Sequence, residues 1–125
     1  MGMQRRFVWL AAALSAMVML SAANAAPPSK KPHPTLLASG LTGASGSTIG
    51  PGGALYVTEG AAGRISRVDP QTGRITTFAS GLPTAVVGIG GPIDLAFIGK
   101  TAYVLVTLVG PDVGGNGVVG IYRVD

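Results

Sequence analysis

The chain has no cysteine, one histidine, one tryptophan and only five acidic residues among its 125. Without cysteine there is no disulfide framework, no thiolate metal site and no cysteine nucleophile. The one histidine, His33, sits among Pro27, Pro28, Pro32 and Pro34. That leaves no Ser-His pair for the rest of the chain, and a lone imidazole in such a segment is a poor metal ligand. No glycine-rich loop ending in Gly-Lys-Ser or Gly-Lys-Thr occurs, so a phosphate cradle of that kind is excluded. Charged residues are scarce at 11%, whereas hydrophobic residues make up 47%. Disordered chains show the opposite balance. The length allows one ordinary domain at most. Its 20 glycines are about twice the usual share, which favours tight turns and short strands over long helices.

The N-terminus reads as an export signal. Arg5 and Arg6 precede an apolar run over 7–20 broken only by Ser15, and Ala23-Asn24-Ala25 supplies the small-x-small pattern of signal peptidase. As a helix that run rises only ~21 Å, too short for a hydrocarbon core of ~30 Å. The expected organisation is a signal peptide over 1–25 cleaved after Ala25, a Pro/Lys linker over 26–34 and a β domain over 35–125. The product would be secreted or periplasmic with no stable membrane anchor. Beyond the leader the basic residues are Lys30, Lys31, Arg64, Arg67, Arg74, Lys100 and Arg123. Apart from the Lys30-Lys31 pair they are scattered singly, which gives no basic stripe for nucleic acid.

From Thr35 onward, β-branched and aromatic runs alternate with turn residues. Gly50-Pro51-Gly52-Gly53 marks one turn. Asp69-Pro70-Gln71-Thr72-Gly73 is a hairpin signal, because Asp69 can bond back to the backbone, Pro70 fixes φ and Gly73 accepts positive φ. Strands are predicted at 46–50, 54–58, 63–68 and 74–79, then at 92–98, 102–109 and 118–124. Internal matches organise them. Leu37-Ala38-Ser39-Gly40-Leu41 resembles Phe78-Ala79-Ser80-Gly81-Leu82, and Ile65-Ser66-Arg67-Val68-Asp69 resembles Ile121-Tyr122-Arg123-Val124-Asp125. Ala54-Leu55-Tyr56-Val57 likewise resembles Ala102-Tyr103-Val104-Leu105.

A four-stranded unit of ~40 residues is a propeller blade. The fold expected is therefore all-β, a partial β-propeller. It would hold one complete four-stranded blade, three strands of a second, and an orphan outer strand at Thr35–Ser39. The run from Ala102 to Val109 is apolar at nearly every position, as a blade covered on both faces requires. Closing a ring takes at least ~4 blades, so the chain is expected to be a fragment. Uncovered blade edges and faces would favour self-association.

Leu37-Ala38-Ser39-Gly40-Leu41, Gly53-Ala54-Leu55-Tyr56-Val57-Thr58-Glu59-Gly60, Gly63-Arg64-Ile65-Ser66-Arg67-Val68-Asp69-Pro70 and Gly91-Pro92-Ile93-Asp94-Leu95-Ala96-Phe97 resemble the start of the ScyD/ScyE family. These are secreted bacterial proteins expected to form propellers with NHL-like repeats. The resemblance implies a binding or scaffold role in the full-length form, toward a ligand it does not name, and brings no catalytic residues with it. A wider kinship with gluconolactonase-type propellers is one of fold, which does not license function.

Candidate chemistry is sparse. Gly115-Asn116-Gly117-Val118-Val119-Gly120 fits the dinucleotide fingerprint, but the residues after it read as strand and not as the helix that mechanism needs. Asp69, Asp112 and Asp125 read as turn residues. Asp94, early in an inner strand, and Glu59 are the candidate metal ligands. They would serve only in a closed propeller, where Ca²⁺ could collect its 6–8 oxygens from several blades. The chain itself is expected to carry no cofactor and no catalytic residue. Two alternatives remain open: a piece of a lactonase-like metal-dependent hydrolase, or a small exported β domain that self-associates. Expressed in a bacterial host, the product should be recovered outside the cytoplasm with Ala26 as its first residue, which intact mass and N-terminal sequencing would check. A product retaining Met1 would remove the export reading.

Overall fold

The protein is described by a computed structural model over residues 26–125. The signal-peptide reading lies outside these residues. Two antiparallel sheets account for the regular structure. In the first, β1 (Ala44–Ile49), β2 (Leu55–Glu59), β3 (Arg64–Val68) and β4 (Ile75–Ala79) lie side by side in chain order. In the second, β5 (Gly91–Ile98), β6 (Thr101–Thr107) and β7 (Gly120–Val124) do the same. Consecutive strands form an up-and-down meander, joined by short turns except for the longer 108–119 loop between β6 and β7. Between β3 and β4, Gly73 takes φ 72° and donates its N–H to the Asp69 carbonyl.

The expected strand at Thr35–Ser39 does not form; these residues are irregular and almost wholly exposed. A strand needs a ladder partner for its N–H and C=O groups. Among the described residues both sheets run in chain order from β1 and from β5, and neither adds a strand at 35–39. The segment instead brings the Leu37 carbonyl against Gly73, where a side chain would collide with it.

Side chains alternate between the faces of a strand, so pairing decides what each sheet presents. In the first sheet Thr48, Tyr56 and Arg67 form one row across the strands, and Thr58 pairs with Ile65 on the same face, here called the front. The front packs against the back of the second sheet, which carries Leu95, Phe97, Ala102, Val104 and Val106. Tyr56, Ile65, Leu95, Ala102, Val104 and Val106 are all buried in one cluster. A bulge between Ile65 and Ser66 leaves Phe78 outside the regular pairing. Its ring meets Tyr56 edge-on at 5.1 Å, while Phe97 meets Tyr56 at 4.6 Å. Gly46 is required where β1 crosses β5, since a Cβ there would strike the Ile93 carbonyl and Asp94.

The second sheet repeats the first, with one change to the alignment expected from sequence. Ala96, Tyr103 and Arg123 form a row like Thr48, Tyr56 and Arg67, and Leu105 pairs with Ile121 as Thr58 pairs with Ile65. The Ile65/Ile121 match therefore stands in the ladder. The Ala54/Ala102 match is out by one position, and Tyr56 corresponds to Tyr103, not Val104. A shift of one residue turns every side chain to the other face.

Nor is β6 covered on both faces. Val104 and Val106 are fully buried on its back, whereas Leu105 on its front is 38% exposed and the neighbouring Ile121 is 63% exposed. Truncating Ile65 should therefore cost ~3 kcal/mol as Ile65→Ala, the range for buried aliphatic deletions. Its counterpart change Ile121→Ala should stay within ~0.5 kcal/mol. Urea denaturation of the two variants distinguishes them, and equal costs would contradict this assignment of faces.

Candidate functional site

Glu59 ends β2 on the back of the first sheet, opposite Arg64 at the start of β3. It is fully buried, and a carboxylate is buried only where donors replace water. Arg64 Nε and Nη2 donate to its two oxygens at 2.9 and 2.8 Å, a bidentate pair. The Ser66 hydroxyl donates to Oε1, and the Thr42 N–H donates to Oε2 at 2.6 Å. Burial on its own would push the pKa up. The hydrogen bonds from Arg64, Ser66 and Thr42, together with the Arg64 charge, outweigh it and hold the group at about 2 against an ordinary 4.5. Both oxygens are thus occupied. The site is a clasp that ties the 42–43 segment to the back of the sheet.

Asp94 stands elsewhere, next to the bulge in β5 and beside Gly46 of β1. Its Oδ1 accepts the Leu95 N–H at 2.9 Å. The structure holds the two carboxylates in separate hydrogen-bond settings. Among the described residues no group of three or more His, Asp or Glu side chains converges on a metal position. Asp69 Oδ1 accepts the N–H groups of Gln71 at 2.8 Å and Thr72 at 2.9 Å, which holds its carboxyl below the usual range. Pro70 follows it, and Gly73 closes the turn. Asp125 takes the Thr101 hydroxyl at 3.0 Å and Arg123 Nε at 2.9 Å, with the same direction of shift. Asp112 lies in a 3-10 turn over Pro111–Val113, and the Gly115–Gly120 run leads into β7 with no helix after it.

Two hollows accompany these groups. One, of about 260 Å³, lies on the open front of the second sheet, lined by Asp94, Leu95, Ala96, Tyr103, Leu105 and Ile121. The other, of about 170 Å³, lies where β1 starts and the loops after β2 and β4 meet. Its walls are Gly43, Ala44, Ser45, Ala61, Ala85, Gly88, Ile89 and Gly90. Backbone dominates this second hollow, and Gly60 and Gly91 are packed too closely there to admit a Cβ. The Glu59 clasp was missed as a unit by sequence reasoning. Glu59, Arg64 and Ser66 carry the spacing of a hairpin with facing ends, but the fourth donor to the buried Glu59 is Thr42, which nothing local connects to them.

Two stacked antiparallel meanders of about four strands are the units of a propeller-like fold. No family model matches the sequence, and no curated protein matches it. Among solved structures, the chain is similar to the PQQ-bound form of an aldose sugar dehydrogenase from Streptomyces coelicolor, with a TM-score of 0.56 and 26% identity. The match covers 71% of this chain and 26% of that one, so the chain spans about a quarter of the length of its structural neighbour. That neighbour is a β-propeller, and the fold of this chain is all-β and propeller-like.

The clasp sets a pH dependence. A carboxyl with a folded pKa below its unfolded value adds stability above the unfolded pKa and loses it as pH falls toward the folded one. The melting temperature should therefore fall as pH drops from about 4.5 to about 2. Glu59→Gln should lower stability at neutral pH by ~2 kcal/mol, the cost of losing charge-assisted hydrogen bonds. It should also flatten the acid limb. A wild-type acid limb unchanged by the substitution would remove the clasp from the account.

Proposed function

We propose that this chain forms part of an exported β-propeller of the ScyD/ScyE type that acts as a binding or scaffold module and performs no chemistry of its own. The observation that carries this reading is the state of its carboxylates. Glu59 is saturated by Arg64, Ser66 and Thr42, and Asp69 and Asp125 are tied to local donors. A hydrolase built on Ca²⁺ needs several free oxygens in one place; the two remaining acids are Asp112, in the 3-10 turn over Pro111–Val113, and Asp94, the inner-strand residue this chain would contribute to such a site.

The sugar dehydrogenase likeness raises a quinone cofactor as a second matter. The hollow at the start of β1 is lined by glycine, alanine, Ser45 and Ile89, with no cationic side chain to meet the carboxylates of pyrroloquinoline quinone. These residues do not fit that group.

Titration of the chain with CaCl₂ by calorimetry, alongside an aldose-oxidation assay with added quinone and a dye acceptor, tests the proposal. No stoichiometric heat and no dye reduction are expected. A one-to-one calcium heat lost in Asp94→Asn would favour the lactonase-like alternative, and dye reduction above the protein-free rate would overturn the reading outright.

A further inference from the structure

Between residues 26 and 125 the sequence has a single asparagine, Asn116, and Gly117 follows it. Asparagine is one of the thermally labile residues, and glycine is the neighbour that shields it least, because no side chain hinders the backbone nitrogen that comes next. In that reaction a base removes the Gly117 N–H proton and the nitrogen attacks Asn116 Cγ. The N–Cγ bond forms, the Cγ–Nδ2 bond breaks and ammonia leaves. Water then opens the cyclic imide at either carbonyl, which yields aspartate or isoaspartate. The nucleophile is thus one backbone group, and its state in the fold decides the rate.

The fold engages that group. Gly117 donates its N–H to the Val109 carbonyl at 2.8 Å, and Val109 is 1% exposed. Three further N–H groups of the 108–119 loop turn inward on its own carbonyls. Val113 and Gly115 donate to Gly110 at 3.1 and 2.9 Å, and Gly114 donates to Pro111 at 3.1 Å. Packing is close as well: a Cβ on Gly115 would strike the Val109 carbonyl, and one on Gly117 would press on Val109 and Pro83. Just beyond, the Tyr122 hydroxyl donates to the Val118 carbonyl at 2.8 Å. Asn116 itself is exposed and lies in no strand, so water reaches the residue while the nitrogen that would attack it is held.

We propose that Asn116 is a modification site that the fold keeps closed, and that it reacts only when the 108–119 loop releases the Gly117 N–H from Val109. A donor bound to a buried carbonyl gives up its proton far less readily than one in water, and ring closure requires the nitrogen to leave that carbonyl. The rate then follows the population of the opened loop. The change runs one way. Isoaspartate adds a carbon to the main chain just before Gly117, where Val109 and Pro83 already crowd it, and so shifts the Gly117 N–H out of line with the Val109 carbonyl. The proposal stands apart from the binding or scaffold reading, and its failure would leave the calcium and dye results untouched.

Peptide mass spectrometry of the purified chain, aged in mildly alkaline buffer with and without concentrated guanidinium chloride, tests it. Conversion of Asn116 should be at least ~10-fold slower in the folded chain than in denaturant. Hydrogen exchange should show the Gly117 amide protected by a similar factor. Gly115→Ala disturbs the loop and leaves the Asn116-Gly117 pair intact. It should speed conversion in the folded chain severalfold and leave the rate in denaturant unchanged.

Far-UV circular dichroism confirms that the variant keeps its sheets, and Tyr122→Phe, which removes only the hydroxyl bond to Val118, takes its place if it does not. Equal rates with and without denaturant overturn the proposal, as does an unprotected Gly117 amide. A loosened variant that ages no faster than the wild type overturns it too. No conversion in denaturant would remove the site itself.

Discussion

The pleat of a β-strand sends neighbouring side chains to opposite faces, and the rest of this structure follows from which face each residue takes. Tyr56 and Ile65 turn toward the second sheet, Val104 and Leu95 turn back toward the first, and the aromatic trio of Tyr56, Phe78 and Phe97 fills the space between. Edge-on contacts of this kind add ~1 kcal/mol each beyond the area they bury. Slipping any of these strands by one position would expose the whole set, so the register is held by the core and not by the turns alone. Gly46 belongs to the same constraint, because only a residue without Cβ lets β1 lie so close to β5.

The Glu59 clasp extends the order on the back of the first sheet to a segment that forms no strand. Thr42 donates its backbone N–H to the buried carboxylate, and Gly60 donates to the Gly43 carbonyl at 2.9 Å. A buried ion pair is weak evidence of net stability, since desolvation offsets much of the attraction. Its clearer effect here is geometric, as it determines where the chain enters β1. It also takes the one fully buried carboxylate among the described residues out of play for metal or proton chemistry.

Much of the architecture was legible in the sequence, and the exceptions share one physical origin. All seven strands follow from local composition, and the turns follow from residues such as Asp69, Pro70 and Gly73, whose preferences act within a few positions. The matches that failed depend on non-local pairing. Ala54-Leu55-Tyr56-Val57 and Ala102-Tyr103-Val104-Leu105 begin with the same alanine, yet the ladder aligns the two tyrosines. Thr35–Ser39 looks like a strand but has no neighbour to bond with. For the candidate site, the sequence singled out Glu59 but not its partners, because Thr42 reaches it only through the folded sheet.

Ring-to-ring contacts measured by NMR, in solution or in the solid state, test the central claim most directly. This account predicts close contacts from Tyr56 to both Phe78 and Phe97, with none between Phe97 and Tyr103. Contacts joining Phe97 to Tyr103, with Tyr56 free of both phenylalanines, would place the sheets in the opposite register and contradict the stacking described here.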